Sequence, residues 1–211
     1  MKVGVIGAGR IGGNAARLLA AAGHEVMLSF SRDQAKLART AEQIGARAGA
    51  PGEAAEFGEV IVFSVPWPVI GEALAQAGSL RAKIVIDTTN QFAAGGIGPV
   101  PTGTTAAQFN QARMPGARLV KALNTLTASF QAESAGRTGP DRVVMFLCGD
   151  HQDAKTIVAR LIDDAGFAPV DLGGLADAAP MEAPRRPGAV YGEEYHLPAA
   201  RAFVASLKRG S

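Results

Sequence analysis

The chain has 211 residues, 47% of them hydrophobic, with 21 Lys and Arg against 19 Asp and Glu and a formal charge of +2. That is enough apolar material for the core of one sizeable globular domain, and its scattered basic residues argue against a nucleic-acid partner. The longest apolar runs, such as Val60 to Val65, fall far short of the roughly 20 residues of a membrane-spanning helix. Glycines and Arg10 interrupt the apolar start before a signal-peptide core forms, so the expectation is a cytoplasmic protein with no membrane partner.

In chain order, Val3 to Ile6 is a short apolar strand ending in glycines. Ile11, Ala15, Leu18, Leu19 and Ala22 follow at helical spacing, closed by Gly23. Glu25 to Leu28 reads as a second strand, and Asp33 to Ile44 as a second helix with Gly45 beyond its end. Val60 to Val65, Lys83 to Asp87 and Leu119 to Ala122 are further strands. Between them lie a helix after Pro68 and another opened by a Thr-x-x-Gln capping box at Thr105 to Gln108. The segment Phe92 to Thr105 reads as a long functional loop. Arg142 to Cys148 is a continuous apolar run, expected for a strand buried on both faces. Asp150 is its following helix's expected N-cap, with His151 solvated beyond the cap, and Pro169 to Leu172 makes a last strand. Cys148, the single cysteine, excludes an intrachain disulfide and a multi-cysteine metal site and is expected to be a buried structural thiol.

Strands alternating with helices predict an α/β fold: a Rossmann-type, doubly wound, mostly parallel sheet with a short C-terminal extension. The expected division of the single domain is a cofactor-binding core over 1–125, a further strand-helix-strand unit over 139–175, and a Pro-rich tail with a terminal helix over 176–211.

Gly7-x-Gly9-x-x-Gly12 directly follows a strand and opens a helix, the context in which this spacing signals a dinucleotide site. Gly7 permits the tight turn, Gly9 lets the backbone approach a pyrophosphate, and Gly12 allows close helix–sheet packing. Ala8, Arg10 and Ile11 offer backbone N–H groups at the helix N-terminus, where an anion is favoured; the Arg10 side chain either reaches a phosphate or is solvated. Arg32 lies 20 residues beyond Gly12, where a ribose-binding carboxylate is usual. A guanidinium flanked by Ser29 and Ser31 instead donates to a 2′-phosphate, which favours NADP(H) over NAD(H). Asp33 leaves open the alternative of a solvated helix start with loose selectivity.

The loops Ser64-Val65-Pro66-Trp67, Thr88-Thr89-Asn90 and Lys121 to Thr125 all follow strands. In an open α/β sheet, ligands bind beyond the carboxyl ends of the strands, so these loops are expected on the nicotinamide side. Trp67 is either beside the cofactor or a packing anchor. Lys121 and Asn124 are the candidate catalytic residues, with a lysine that snorkels to solvent as the alternative for Lys121. No metal site is expected. Hydride transfer between two planar rings needs stacking and exclusion of water more than acid–base help. A carbonyl or imine acceptor would need a proton donor, for which Lys121, Tyr195 and His196 are the candidates. His24 reads as structural. The run from Tyr191 to His196 either closes over the site or straps the surface, and a non-enzymatic NADPH sensor is the reading from another class.

GHEVMLSFSR, SVPWP, DTTN, VKALNT, LCGD and DLGGL stand in this order along roughly the first 175 residues. In that combination the chain resembles the NADPH-dependent coenzyme F420 reductase family of dinucleotide-binding proteins. The resemblance implies a Rossmann-type homodimer with Ser31 and Arg32 on the 2′-phosphate. It further implies a second redox ring over the nicotinamide, coenzyme F420 or an ordinary flavin, as the small-molecule acceptor. The tail from Pro180 to His196 does not map onto the deazaflavin-binding part of such proteins.

Overall fold

In the computed structural model, residues 1–207 are described; the last four residues of the expected tail lie outside them. The sheet begins with β1 (Lys2–Ile6), β2 (Glu25–Ser29), β3 (Arg47–Ala48), β4 (Val60–Phe63) and β5 (Ile84–Asp87). A small hairpin, β6 (Phe92–Ala93) and β7 (Gly96–Ile97), interrupts it before β8 (Arg118–Ala122), β9 (Val144–Gly149) and β10 (Ala168–Gly173). Eight strands lie in the order β10-β9-β8-β5-β4-β1-β2-β3. All neighbours are parallel except β8 and β9, which pair antiparallel.

Helices cover both faces, and the period-two alternation of the strands sorts their side chains between two cores. Val60 and Val62 point to one face with Val3, Val5 and Ile86, against α1 (Arg10–Ala21), α2 (Gln34–Gln43), α6 (Ala128–Ser134) and α7 (Gln152–Asp164). Ile61 and Phe63 point to the other with Val85 and Phe146, against α3 (Pro51–Phe57), α4 (Ile70–Ala77), α5 (Ala106–Arg113) and α8 (Leu197–Leu207). The chain leaves β1 toward β2 on one side and returns to β4 on the other. The sheet therefore has its topological switch point between β1 and β4, where a crevice must open.

Several elements differ from the sequence reading. The seven-residue helices α3 and α6 went unread because two turns are too short to show a helical period. The N-cap of α7 is His151, not Asp150; the Asp150 carboxylate instead accepts the Leu175 N–H at 2.8 Å. The expected loop after Asn90 starts with the β6/β7 hairpin, closed by a Gly98 N–H bond to the Gln91 carbonyl at 2.6 Å. A Cβ at Gly98 would lie 2.7 Å from the Trp67 indole, so Trp67 anchors the hairpin and packs on Phe109 with ring centroids 6.0 Å apart. The Pro-rich tail is built into the core: Met181, Ala183 and Val190 are buried, and Tyr195 packs edge-on against Phe146.

Candidate functional site

The turn after β1 owes its shape to two close approaches. Gly7 has φ +111°, and a Cβ there would meet the Ser64 carbonyl at 2.2 Å; one at Gly12 would meet the Gly7 carbonyl at 2.0 Å. No other residue fits either position. Gly9 is different, because a Cβ there would find nothing within 4 Å. The protein itself does not require a glycine at this N-cap of α1, and no side chain caps the helix there. An open cradle in front of free helix N–H groups is what a pyrophosphate needs.

A cleft of about 600 Å³ opens from this turn. Gly7, Ala8, Gly9, Ser31, Arg32, Ser64 and Pro66 line it, which brings together the segments that follow β1, β2 and β4. Arg10, Ile11 and Gly12 form the first turn of α1 behind the cradle. Two expected members turn away. The Ser29 hydroxyl is fully buried and donates to the Val5 carbonyl at 2.9 Å, so it is not a phosphate donor. The Val65 side chain belongs to the core beneath the cleft.

At the far end, Phe30 takes a left-handed conformation with φ +54°, a cost of about 1–2 kcal/mol for a side-chain-bearing residue. It turns the chain out of β2 and delivers Ser31 and Arg32 to the cleft wall. Asp33 is occupied as the N-cap of α2, where its Oδ1 accepts the Lys36 N–H at 2.8 Å. The Ser31 hydroxyl tightens the same turn, donating to the Asp33 carbonyl at 3.1 Å. Lys36 also lines the cleft. Among the described residues neither Arg32 nor Lys36 enters an ion pair. Two unneutralised cations thus stand at one end of the groove. Sequence reasoning missed Lys36, Leu37 and Thr40, although their spacing with Asp33 marks one face of α2. It also missed Pro68, Val69 and Glu72 on the opposite wall.

Lys121 neither snorkels nor opens on the cleft. Its side chain is 0% exposed, and Nζ bonds to Asp87 Oδ2 at 3.1 Å and to the Thr89 carbonyl. Asp87 accepts in addition from the Thr89 N–H at 2.9 Å and from Asn110 Nδ2 at 3.1 Å. A buried ion pair with its lone pairs satisfied holds its place where an exposed one would wander; here it clamps the loop after β5. Thr88 is buried at the start of that loop, its N–H bonded to the Phe63 carbonyl at 3.1 Å. Asn124 exchanges hydrogen bonds with Asn90: Asn90 Nδ2 donates to the Asn124 carbonyl at 3.0 Å, and Asn124 Nδ2 to Asn90 Oδ1 at 3.2 Å. Asn124 Nδ2 also donates to the Met181 carbonyl at 2.6 Å, and the Ala183 N–H to Asn90 Oδ1 at 3.3 Å. The tail therefore wraps the loops after β5 and β8. Glu182 fixes it there, its carboxylate accepting the Ala106 and Ala107 N–H groups at 2.9 and 2.8 Å.

Neither Tyr195 nor His196 is among the cleft residues. Tyr195 sits between Phe146 and Phe203, and His196 Nδ1 lies 3.3 Å from the Arg142 carbonyl. His24 is structural: Nε2 pairs with Asp164 at 3.2 Å. Cys148 is buried, and burial, with smaller contributions from Asp171 and Asp177, pushes its thiol far above the ordinary range. Among the described residues there is no group of three or more metal-ligating side chains, and no helix is long and apolar enough to cross a membrane.

Strand order, glycine turn and switch-point cleft define a Rossmann-type α/β protein. Residues 2–91 match the model of the family described as NADP oxidoreductase, coenzyme F420-dependent. A hypothetical protein from Sinorhizobium meliloti superposes with a TM-score of 0.79 at 31% identity, over 93% of this chain and 95% of its own. A candidate F420-dependent NADP-reductase from Arthrobacter sp. FB24 follows at 0.71 and 28%, over 84% and 87%. Metalloreductase STEAP3 of Rattus norvegicus is 30% identical over 189 residues, 86% of this chain; the chain spans only 36% of that curated relative's length. Over residues 2–91, somewhat under half of its length, the chain is thus similar to the coenzyme F420-dependent NADP oxidoreductase family.

Proposed function

We propose that the chain is an NADP(H)-dependent oxidoreductase that passes hydride between NADPH and a planar ring acceptor, coenzyme F420 or a flavin. The observation that carries this reading is the cationic corner. Arg32 and Lys36 face the cleft without an acidic partner, while the nearby carboxylate, Asp33, is turned into a helix cap. A carboxylate facing the groove would accept from a free 2′-hydroxyl and repel a phosphate; two cations do the reverse.

The bound dinucleotide supplies the hydride. Around it, the α1 N-terminus and the open cradle at Gly9 hold the pyrophosphate, and Ser31, Arg32 and Lys36 set the register of the adenosine end. The loops after β4, β5 and β8, locked by the Lys121–Asp87 pair and the Asn90–Asn124 exchange, form the rigid floor of the reacting end. Preorganisation of this kind fixes two rings at the separation of about 3–3.5 Å that transfer requires. Lys121 and Asn124 are thus positioning residues in this reading. Lys121 is committed to Asp87 and Thr89, and neither Tyr195 nor His196 lines the cleft, which favours a ring acceptor over a carbonyl or imine. The working unit in this reading is a homodimer, which the family resemblance supports and light scattering would check.

The test is NADPH oxidation followed by absorbance with coenzyme F420, FMN and a carbonyl and imine panel in separate reactions. Turnover with a ring acceptor is the expected result. Turnover with carbonyls or imines alone would overturn the acceptor, and tight NADPH binding without any turnover would replace the enzyme by an NADPH sensor.

A further inference from the structure

Beyond Arg32 the cleft continues into a second hollow of about 440 Å³, bordered by Gln34, Gly49, Ala50, Pro51 and Gln76. Phe30, Ser31, Arg32 and Glu72 border both spaces, so they form the junction between them. With a 2′-phosphate on Ser31 and Arg32, the base of the same nucleotide has to enter this junction. Three of the four junction residues come from the β2 end, and the fourth, Glu72, comes from α4.

Glu72 is exposed at the rim of the cleft on a well-anchored helix. Gln76, one turn further along α4, donates Nε2 to Glu72 Oε1 at 3.0 Å. The helix is anchored by Ile70 and Ala73, both 0% exposed. A carboxylate in the first turn is favoured by the positive end of the helix dipole. Among the described residues Glu72 forms no ion pair with Arg32 or Lys36, so it does not neutralise the phosphate corner. An ionised carboxylate only accepts hydrogen bonds. Beside a purine it therefore selects a base that presents a donor.

We propose that Glu72 recognises the exocyclic amino group of the adenine ring and makes the site selective for an adenine over a 6-oxopurine dinucleotide. This assignment rests on the NADP(H) reading above, and the experiment separates the two. NADPH and its hypoxanthine analogue, in which a carbonyl oxygen replaces the 6-amino group, are titrated against the full chain by nicotinamide fluorescence. The wild-type protein is expected to bind NADPH about tenfold more tightly, the scale of one hydrogen bond to a charged group. Glu72→Ala brings the two dinucleotides within about twofold by weakening NADPH, and Glu72→Gln, whose amide can donate to the oxygen, tightens the analogue relative to wild type. Equal wild-type affinities, or a proportionate loss of both in Glu72→Ala, would overturn the assignment while leaving NADPH binding intact. Failure of the wild-type chain to bind either dinucleotide would overturn the NADP(H) reading and the assignment with it.

Discussion

Removing the Arg32 guanidinium separates a phosphate site from a solvated surface arginine. The side chain is exposed and forms no ion pair among the described residues, so its loss leaves the fold alone. A hydrogen bond to a charged group contributes about 1.5–3 kcal/mol. Solvent screening at this exposed end, with Lys36 still in place, lowers the expectation to about 1–2 kcal/mol. Arg32→Ala should therefore weaken NADPH binding about 5- to 30-fold and change NADH binding less than about twofold. Fluorescence titration of both cofactors gives the two constants. Repeating it at low and high salt should show the NADPH advantage shrinking in the wild type and less so in the variant. Equal losses for NADPH and NADH would refute the 2′-phosphate argument, and a lowered melting temperature would show that Arg32 has a structural role.

The glycine turn allows a contrast within one motif. Gly12→Ala, whose Cβ would lie 2.0 Å from a carbonyl oxygen, should destabilise the fold, whereas Gly9→Ala, facing open space, should melt like wild type yet bind NADPH at least about tenfold more weakly. Calorimetry with titration separates them, and a Gly9→Ala variant that binds normally would remove the cradle. Lys121→Ala strands the buried Asp87 carboxylate, so urea unfolding should show a loss of about 3–5 kcal/mol. A large rate loss at unchanged stability would instead make Lys121 catalytic. Cys148 should resist thiol reagents until the chain unfolds. Its thiol is raised in the folded state, so its contribution to stability is complete below the unfolded-state value of about 8.5 and declines as the pH rises above it. A Cys148→Ser variant with the same alkaline decline would assign that decline elsewhere.

What could be read from the chain was local or periodic. The Gly7, Gly9 and Gly12 spacing and the position of Arg32 follow from the fixed length of a strand-turn-helix-strand unit, so linear distance carries the geometry. The two-sided burial of β4 and β9 is written as unbroken apolar runs. Such a run carries no information on direction, and only the tertiary structure shows β9 entering antiparallel beside β8. Side-chain roles depended on partners far along the chain. Ser29 looks like a phosphate donor until the pleat turns it inward to Val5. Asp33 reads as a solvated residue at a helix start until its carboxylate is seen to cap α2. Lys121 looks like a catalytic lysine until Asp87, 34 residues away, closes on it. The tail reaches Asn90 and Asn124 across 93 and 57 residues, and Glu72 of α4 borders the same groove as Arg32, 40 residues earlier in the chain. The sequence by itself determined the sheet, the glycine turn and the position of its cation, because these depend on neighbours within one βαβ unit. The tertiary structure alone decided which polar groups face the cleft, because burying a polar group demands a partner, and that partner can come from anywhere in the chain.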